Sequence, residues 1–220
     1  MTTLKEQLAA FKAGFKARVD PVRVATMEDA TAALRATGIE RSALQVGAQA
    51  PDISLSDATG KTVKLSELWV RGPLVLVFYR GGWCPYCNLE LRAWQQQLHG
   101  LKALGAQLVA VSPQTPDNSL TTAEKNALLF PVLSDSTLEA ASAYGVAFEM
   151  PPELVELYRR VGHDLPTLNG NGRWALPVPA TYVIGTDGRI ELAYVNADYR
   201  ERAEPADVLA LLSLHRAVNR

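Results

Sequence analysis

The run Leu74-Val75-Leu76-Val77-Phe78-Tyr79 is continuously apolar, and it ends shortly before Cys84-Pro85-Tyr86-Cys87. A run of that kind reads as a strand covered on both faces, inside a sheet with helices on either side. Pro85 then suits the first turn of a helix, where its missing N–H is no loss. The two cysteines therefore sit at a strand-to-helix junction. They share one helix face, with α-carbons about 5–6 Å apart, a spacing that suits a disulfide. The first lies beside the unpaired N–H groups of the helix start, whose partial positive charge stabilises a thiolate. The chain has 220 residues and no other cysteine. Residue types and spacing point to a redox dithiol.

The helix downstream orients the pair. Cys87, Leu91, Trp94, Leu98 and Leu101 form one inward stripe. Cys84 extends the stripe toward the helix mouth, so Cys84 is expected to be the more accessible, attacking thiol and Cys87 the more buried, resolving one. Two blander readings compete. A buried free cysteine can serve as a small hydrophobe, although the spacing and the junction argue against mere packing. A zinc site needs about four ligands, and His99, His163 and His215 form no second pair. No metal is expected within one chain. His99 falls off the inward stripe and reads as exposed.

The rest of the chain divides at about residue 45. Residues 1–45 read as an N-terminal helical extension, with Leu4, Leu8, Phe11 and Phe15 in one apolar stripe, a break at Asp20-Pro21, and a second helix from Thr26 to Gly38. The stripe either packs on the body of its own chain or forms a homodimer contact. Residues 46–220 read as one α/β domain. It begins with a hairpin over 51–65, and strands at 74–79, 108–112 and 131–134 alternate with helices at 85–104, from Thr121, and at 137–144. That alternation implies a mainly parallel sheet. Residues 148–178 form a Pro- and Gly-rich excursion that could wall a site. Strands at 180–184 and 189–195 flank the turn Thr186-Asp187-Gly188, and a helix from Glu204 to Val218 closes the chain.

Bulk composition excludes several classes. The 22 basic and 23 acidic residues nearly cancel, giving no electrostatic case for nucleic acid or an anionic membrane. No apolar stretch approaches the roughly 20 residues of a membrane span. The N-terminus lacks a basic-then-apolar leader, and sparse cysteine suits a reducing compartment, so a cytoplasmic location is expected. Gly81-Gly82 is too short for a nucleotide-binding pattern, and no cofactor is expected.

At these residues the chain resembles the thioredoxin superfamily, and more closely its peroxiredoxin-like branch, the alkyl hydroperoxide reductase/thiol-specific antioxidant group. Ala50-Pro51-Asp52-Ile53-Ser54-Leu55, Phe130-Pro131-Val132-Leu133-Ser134-Asp135 and Ala143-Tyr144-Gly145-Val146 carry the likeness beyond the dithiol, over roughly 46–198. The resemblance implies a thioredoxin-like fold, a central mixed β-sheet flanked by helices. There are departures. Laid on the group's Pro-x-x-x-Thr-x-x-Cys signature, the proline becomes Arg80, the threonine becomes Cys84, and the peroxide-attacking cysteine falls on Cys87. Pro179-Ala180-Thr181-Tyr182-Val183-Ile184 resembles the thioredoxin strand that follows a cis-proline, and Pro179 stands near where peroxiredoxins tend to carry a catalytic arginine.

The resemblance implies hydroperoxide reduction with electrons from thioredoxin or a small thiol such as glutathione, cycling through an intramolecular Cys84–Cys87 disulfide. O–O cleavage needs hydrogen-bond donors for the leaving alkoxide. Arg80 is the candidate, its alternative being a solvated loop charge. A general protein- or glutathione-disulfide reductase is the second reading, with Pro179 as docking edge and Trp83 as hydrophobic docking surface. Local packing is the plainer role for Trp83. A non-enzymatic redox sensor acting through the N-terminal helices is the third.

Overall fold

The computed structural model describes residues 2–218. Its elements are α1 (Leu4–Arg18), α2 (Pro21–Ala36), α3 (Ile39–Ser42), β1 (Ser54–Asp57), β2 (Thr62–Lys64), α4 (Leu65–Trp69), β3 (Leu74–Phe78), α5 (Pro85–Ala103), β4 (Gln107–Ser112) and α6 (Pro116–Lys125). They continue with β5 (Val132–Ser134), α7 (Glu139–Ala143), β6 (Ala147–Glu149), α8 (Pro152–Arg160), α9 (Leu165–Asn169), β7 (Ala175–Pro177), β8 (Ala180–Ile184), β9 (Ile190–Val195) and α10 (Pro205–Val218). The main sheet has the order β2-β1-β5-β4-β3-β8-β9. Only β3–β4 and β4–β5 are parallel, while the flanking pairs are antiparallel. The sheet is mixed rather than mainly parallel, because hairpin-type connections close both edges.

Period-two alternation divides the core. Leu74, Leu76 and Phe78 enter one apolar cluster with Tyr144 and Tyr182. Val75, Val77 and Tyr79 enter the other, with Cys87, Leu91, Trp94 and Leu98 of α5. The β3 residues are all fully buried, as an uninterrupted apolar run requires. Leu4 and Leu8 of α1 and Val208 and Leu212 of α10 join the second cluster, with Phe11 packed against it. Leu4, Leu8 and Phe11 of the N-terminal stripe thus pack on the body of their own chain.

Two helix starts differ from expectation for one reason, capping chemistry. α2 begins at Pro21 rather than Thr26, because Asp20 accepts a hydrogen bond from Val22 N at 2.9 Å and proline is welcome at the first position. Asp-Pro both ends one helix and starts the next. α6 begins at Pro116 rather than Thr121, with Thr115 as its N-cap. The excursion is ordered: β6 pairs with β7, and α8 and α9 lie between them.

Candidate active site

β3 delivers the chain to Tyr79-Arg80-Gly81-Gly82-Trp83, and Cys84 is the N-cap of α5. The connecting glycines are dictated by crowding. A Cβ on Gly81, at φ 146°, would meet the Trp83 indole nitrogen at 2.3 Å, and one on Gly82 would meet Thr122 Oγ1 at 2.2 Å. Side chains then fasten the loop. Gln114 Oε1 accepts from Gly82 N at 2.7 Å, and Asn88 Nδ2 donates to the Gly82 carbonyl at 2.8 Å. Asn126 donates to Asn88 Oδ1 at 2.8 Å, while its own carbonyl accepts from Arg92 at 2.8 Å. This buried polar chain holds the dithiol loop between α5 and α6.

Both thiols are free and buried, Cys84 at 2% and Cys87 at 0% exposure. Cys84 is the more exposed of the two, in the expected order, but both are buried. Viewed alone the helix mouth is open, but α1, α2 and α8 roof it. The asymmetry between the thiols survives in their electrostatics. A hydrogen bond from Cys87 brings the Cys84 thiol down to about 6, with further help from the Arg80 and Arg202 charges, against the cost of burial. Burial pushes the Cys87 thiol up, and the Cys84 sulfur adds to that.

Arg80 is 3% exposed, so it is no solvated loop charge. Its guanidinium lies 4.3 Å from the Tyr199 ring centroid and 5.0 Å from that of Trp83, and it donates to the Tyr158 hydroxyl. It has no carboxylate partner among the described salt bridges. Tyr158, Cys84 and Tyr199 around it favour its charged form against the cost of burial. Trp83 packs edge-on to Tyr158 at 5.6 Å and lies 5.1 Å from His163, so it faces the excursion rather than presenting an open docking surface.

Pro179 is buried, and there is no cis peptide bond among the described residues. It lines a cavity of about 190 Å³ that adjoins the one containing Cys84, the two sharing Met27, Arg80, Tyr158 and Tyr199 as walls. The preceding Val178 N–H already donates to Val146 O at 2.7 Å. The docking edge expected beside the dithiol is consequently occupied by the chain itself.

Sequence reasoning missed Arg202, Glu90, Tyr158 and Tyr199. Arg202 Nη2 stands 3.4 Å from Cys87 Sγ, and its Nε donates to Glu90 Oε2 at 2.6 Å, with both side chains at most 1% exposed. Burial nevertheless raises the Glu90 carboxyl to about 7, the Arg202 charge offsetting only part of the desolvation. A signal did exist: Glu90 follows Cys87 by three residues on the inward face, and a buried acid demands a cation.

Cys84 opens onto a cavity of about 290 Å³. Its walls include Phe11 and Phe15 from α1, Met27 from α2, Leu157 from α8, and Val161 just after it. Among the described residues, Arg23 and Arg80 are its charged linings and no carboxylate lines it. Arg80 Nε, Trp83 Nε1 and Tyr86 OH, all on residues of this cavity, are buried without a hydrogen-bond partner. The cavity brings together a thiol held low in pKa, a buried arginine and apolar walls. No group of three or more metal-binding side chains occurs among the described residues.

Comparison with known proteins agrees with this architecture. The chain is 29% identical over 154 residues to Rv2521 of Mycobacterium tuberculosis, a protein named as a peroxiredoxin, covering 70% of this chain and 86% of that one. It is 32% identical over 108 residues to the thiol-disulfide oxidoreductase ResA of Geobacillus thermodenitrificans, covering 49% and 61%. The crystal structure of the peroxidoxin BcpB from Mycobacterium tuberculosis superposes with a TM-score of 0.62 at 23% identity, covering 78% of this chain and 97% of that one. That likeness establishes the thioredoxin-type fold. The AhpC/TSA family profile matches residues 46–193, and the chain belongs to that family.

Proposed function

We propose that this protein is a thiol-dependent peroxidase in which Cys84 attacks the hydroperoxide and Cys87 resolves the product. The observation that carries this reading is geometric: the Cys84 thiol and a buried arginine with no carboxylate among the described salt bridges line one cavity. The Cys84 thiolate attacks the distal oxygen of ROOH. The S–O bond forms, the O–O bond breaks, and the leaving alkoxide takes a proton to become ROH. Arg80 supplies charge where that alkoxide develops. Because Tyr158 accepts from Arg80, its own hydroxyl proton is free to be donated. Cys87 then displaces water from the Cys84 sulfenic acid, giving the Cys84–Cys87 disulfide. Two external thiols return the dithiol to the reduced state.

Arg202 and Glu90 support the second half. The thiolate of Cys87 has to form in a site that disfavours it, and Arg202 stabilises that anion at 3.4 Å. Glu90, its carboxyl near 7, is a proton acceptor of suitable strength beside it. Kinship with a thiol-disulfide oxidoreductase favours disulfide exchange as a second reading. The occupied Val178 N–H and the roofed dithiol favour a small thiol such as glutathione over a docked thioredoxin as reductant. Reduced protein mixed with cumene hydroperoxide in a stopped-flow tryptophan assay tests the proposal. A second-order rate well above that of a free low-pKa thiol is expected. A rate no faster than such a thiol would leave only disulfide exchange.

A further inference from the structure

Residues 196–204 join β9 to α10 and, like α1 and α2, lie outside the residues matched by the AhpC/TSA profile. The segment has no helix or strand of its own, so side chains must fix its path. Arg202 is secured from within it. Its Nη1 donates to the carbonyls of Tyr199 and Glu201, the second at 2.9 Å. Its Nε and Nη2 are thereby aimed at Glu90 and Cys87. The placement of this guanidinium against the resolving thiol follows from the backbone path of residues 199–201.

That path is gripped by the N-terminal helices. Arg200 holds Asp198 through two bonds, Nε at 2.6 Å and Nη2 at 2.9 Å, and both residues are buried. Its remaining nitrogen, Nη1, reaches Glu28 of α2 at 3.2 Å, and Glu28 pairs with Lys16 of α1 at 2.5 Å. Lys12 of α1 stands 3.7 Å from Asp198. At the far end of the segment, Glu204 accepts from Leu4 N at 3.3 Å and Lys5 N at 3.1 Å, a carboxylate at the positive end of α1. At the near end, Glu40 of α3 accepts from Ala197 N at 2.7 Å. A lone exposed ion pair would constrain little. A buried bidentate pair fastened at its third corner fixes a geometry. We infer that Arg200 is a positioning residue for the resolving step: tied to Asp198 and Glu28, it holds residues 199–201 so that Arg202 stays beside the Cys87 sulfur. This role rests on the reading of Cys84 as the attacking thiol and Cys87 as the resolving one. It gives α1 and α2 a part in the second half of the cycle in addition to packing.

Single-turnover oxidation of the reduced full-length protein by cumene hydroperoxide separates the two steps, an early phase for Cys84 and a later one for the disulfide. Arg200→Met should leave the early phase within about threefold and slow the later one by about threefold or more. Each unit by which the Cys87 pKa rises costs about tenfold in thiolate, and the gain in nucleophilicity returns about threefold. Raising the pH should recover most of the lost rate, and dimedone labelling of the Cys84 sulfenic acid should increase. Glu28→Gln keeps the buried Asp198–Arg200 pair and should show the same pattern more weakly, which covers the case of an Arg200→Met protein that does not fold. Adding either change to Arg202→Met should slow resolution no further, whereas a generally loosened fold would slow it again. A later phase unchanged in both variants, or slowed equally with and without Arg202, would overturn the inference. Failure of the hydroperoxide to oxidise wild-type Cys84 would instead defeat the peroxidase reading. The role of Arg200 is then read with oxidised glutathione, where the Cys87 thiolate displaces glutathione thiolate from a Cys84 mixed disulfide, with the same variants and the same expected slowing.

Discussion

Arg80→Met separates two roles that a buried arginine beside a thiolate could play. Methionine fills the space between the Tyr199 and Trp83 rings and removes the charge. An opposite charge at close range shifts a pKa by about 1–3 units, so a rise of about two is expected, from about 6. At pH 7 the thiolate fraction then falls from about 0.91 to about 0.09, a roughly tenfold loss. A more basic thiolate is also a better nucleophile. With a Brønsted coefficient of about 0.4–0.5, two units return about six- to tenfold. The two effects nearly cancel, so reaction with a small thiosulfonate should change by less than about threefold. Peroxide reduction has an additional loss, since removing a donor to a developing oxyanion costs about 10²–10³ in rate. Thiolate absorbance near 240 nm gives the pKa, and stopped-flow fluorescence gives both rates. Equal slowing toward both reagents would refute the argument and return Arg80 to a packing role.

In Cys87→Ser, Cys84 should still form a sulfenic acid that dimedone traps by mass spectrometry, whereas Cys84→Ser should leave no rapidly reacting thiol; the opposite pattern would make Cys87 the attacking residue. Peroxide consumption should rise with pH through about 6 and then level off, following Cys84, and a midpoint above 8 would contradict its assignment. The same thiol affects stability. Its folded pKa lies below the unfolded value of about 8.5, so the stabilisation is complete above that value and disappears as pH falls through about 6. Its full size is about 3 kcal/mol, so the urea-unfolding difference between reduced wild type and Cys84→Ser should grow from pH 6 to pH 8.5. Gln114→Leu strands the Gly82 N–H in a buried loop and should cost about 1–3 kcal/mol in the same assay. For the oxidised protein, glutathione should restore the dithiol at a rate that thioredoxin does not surpass; preferential reduction by thioredoxin would mean that α1 and α8 open.

Signals confined to one element carried most of what was legible in the sequence. The apolar run became the fully buried β3, the spacing of Cys87, Leu91, Trp94, Leu98 and Leu101 became the inner face of α5, and Thr186-Asp187-Gly188 became the turn between β8 and β9. His99 is exposed, as its position off the stripe implied. Signals that act across elements were lost. Arg202 meets Cys87 across 115 positions from an irregular segment that has no period to read. The accessibility of Cys84 was judged from the geometry of one helix, while its burial depends on α1, α2 and α8. Asp20-Pro21 was legible as a break, but its second meaning as a cap depends on the Asp20 side chain turning back to Val22 N.

Pro179 is the most instructive of these cases. On the peroxiredoxin alignment it stands where the family tends to carry a catalytic arginine, which suggests a site stripped of its cation. In the folded chain two buried arginines flank the dithiol from other places, Arg80 from the loop after β3 and Arg202 from the segment before α10. They are not equivalent. Arg202 pairs with Glu90 at 2.6 Å, whereas Arg80 has no carboxylate among the described salt bridges and has beside it the Tyr158 hydroxyl and, when it forms, the Cys84 thiolate as its anion. Oxidation to the disulfide removes that anion and leaves a desolvated cation without a counter-charge, which is costly in a dry interior. The reduced, thiolate form should therefore be favoured more strongly than in a dithiol without this arginine. Arg80→Met should make the disulfide harder to reduce, shifting its potential downward by about 30 mV for each 1.4 kcal/mol of lost thiolate stabilisation. Equilibration against a glutathione redox buffer reads that shift directly. An unchanged or upward-shifted potential would mean that Arg80 finds another anion once the sulfurs are joined.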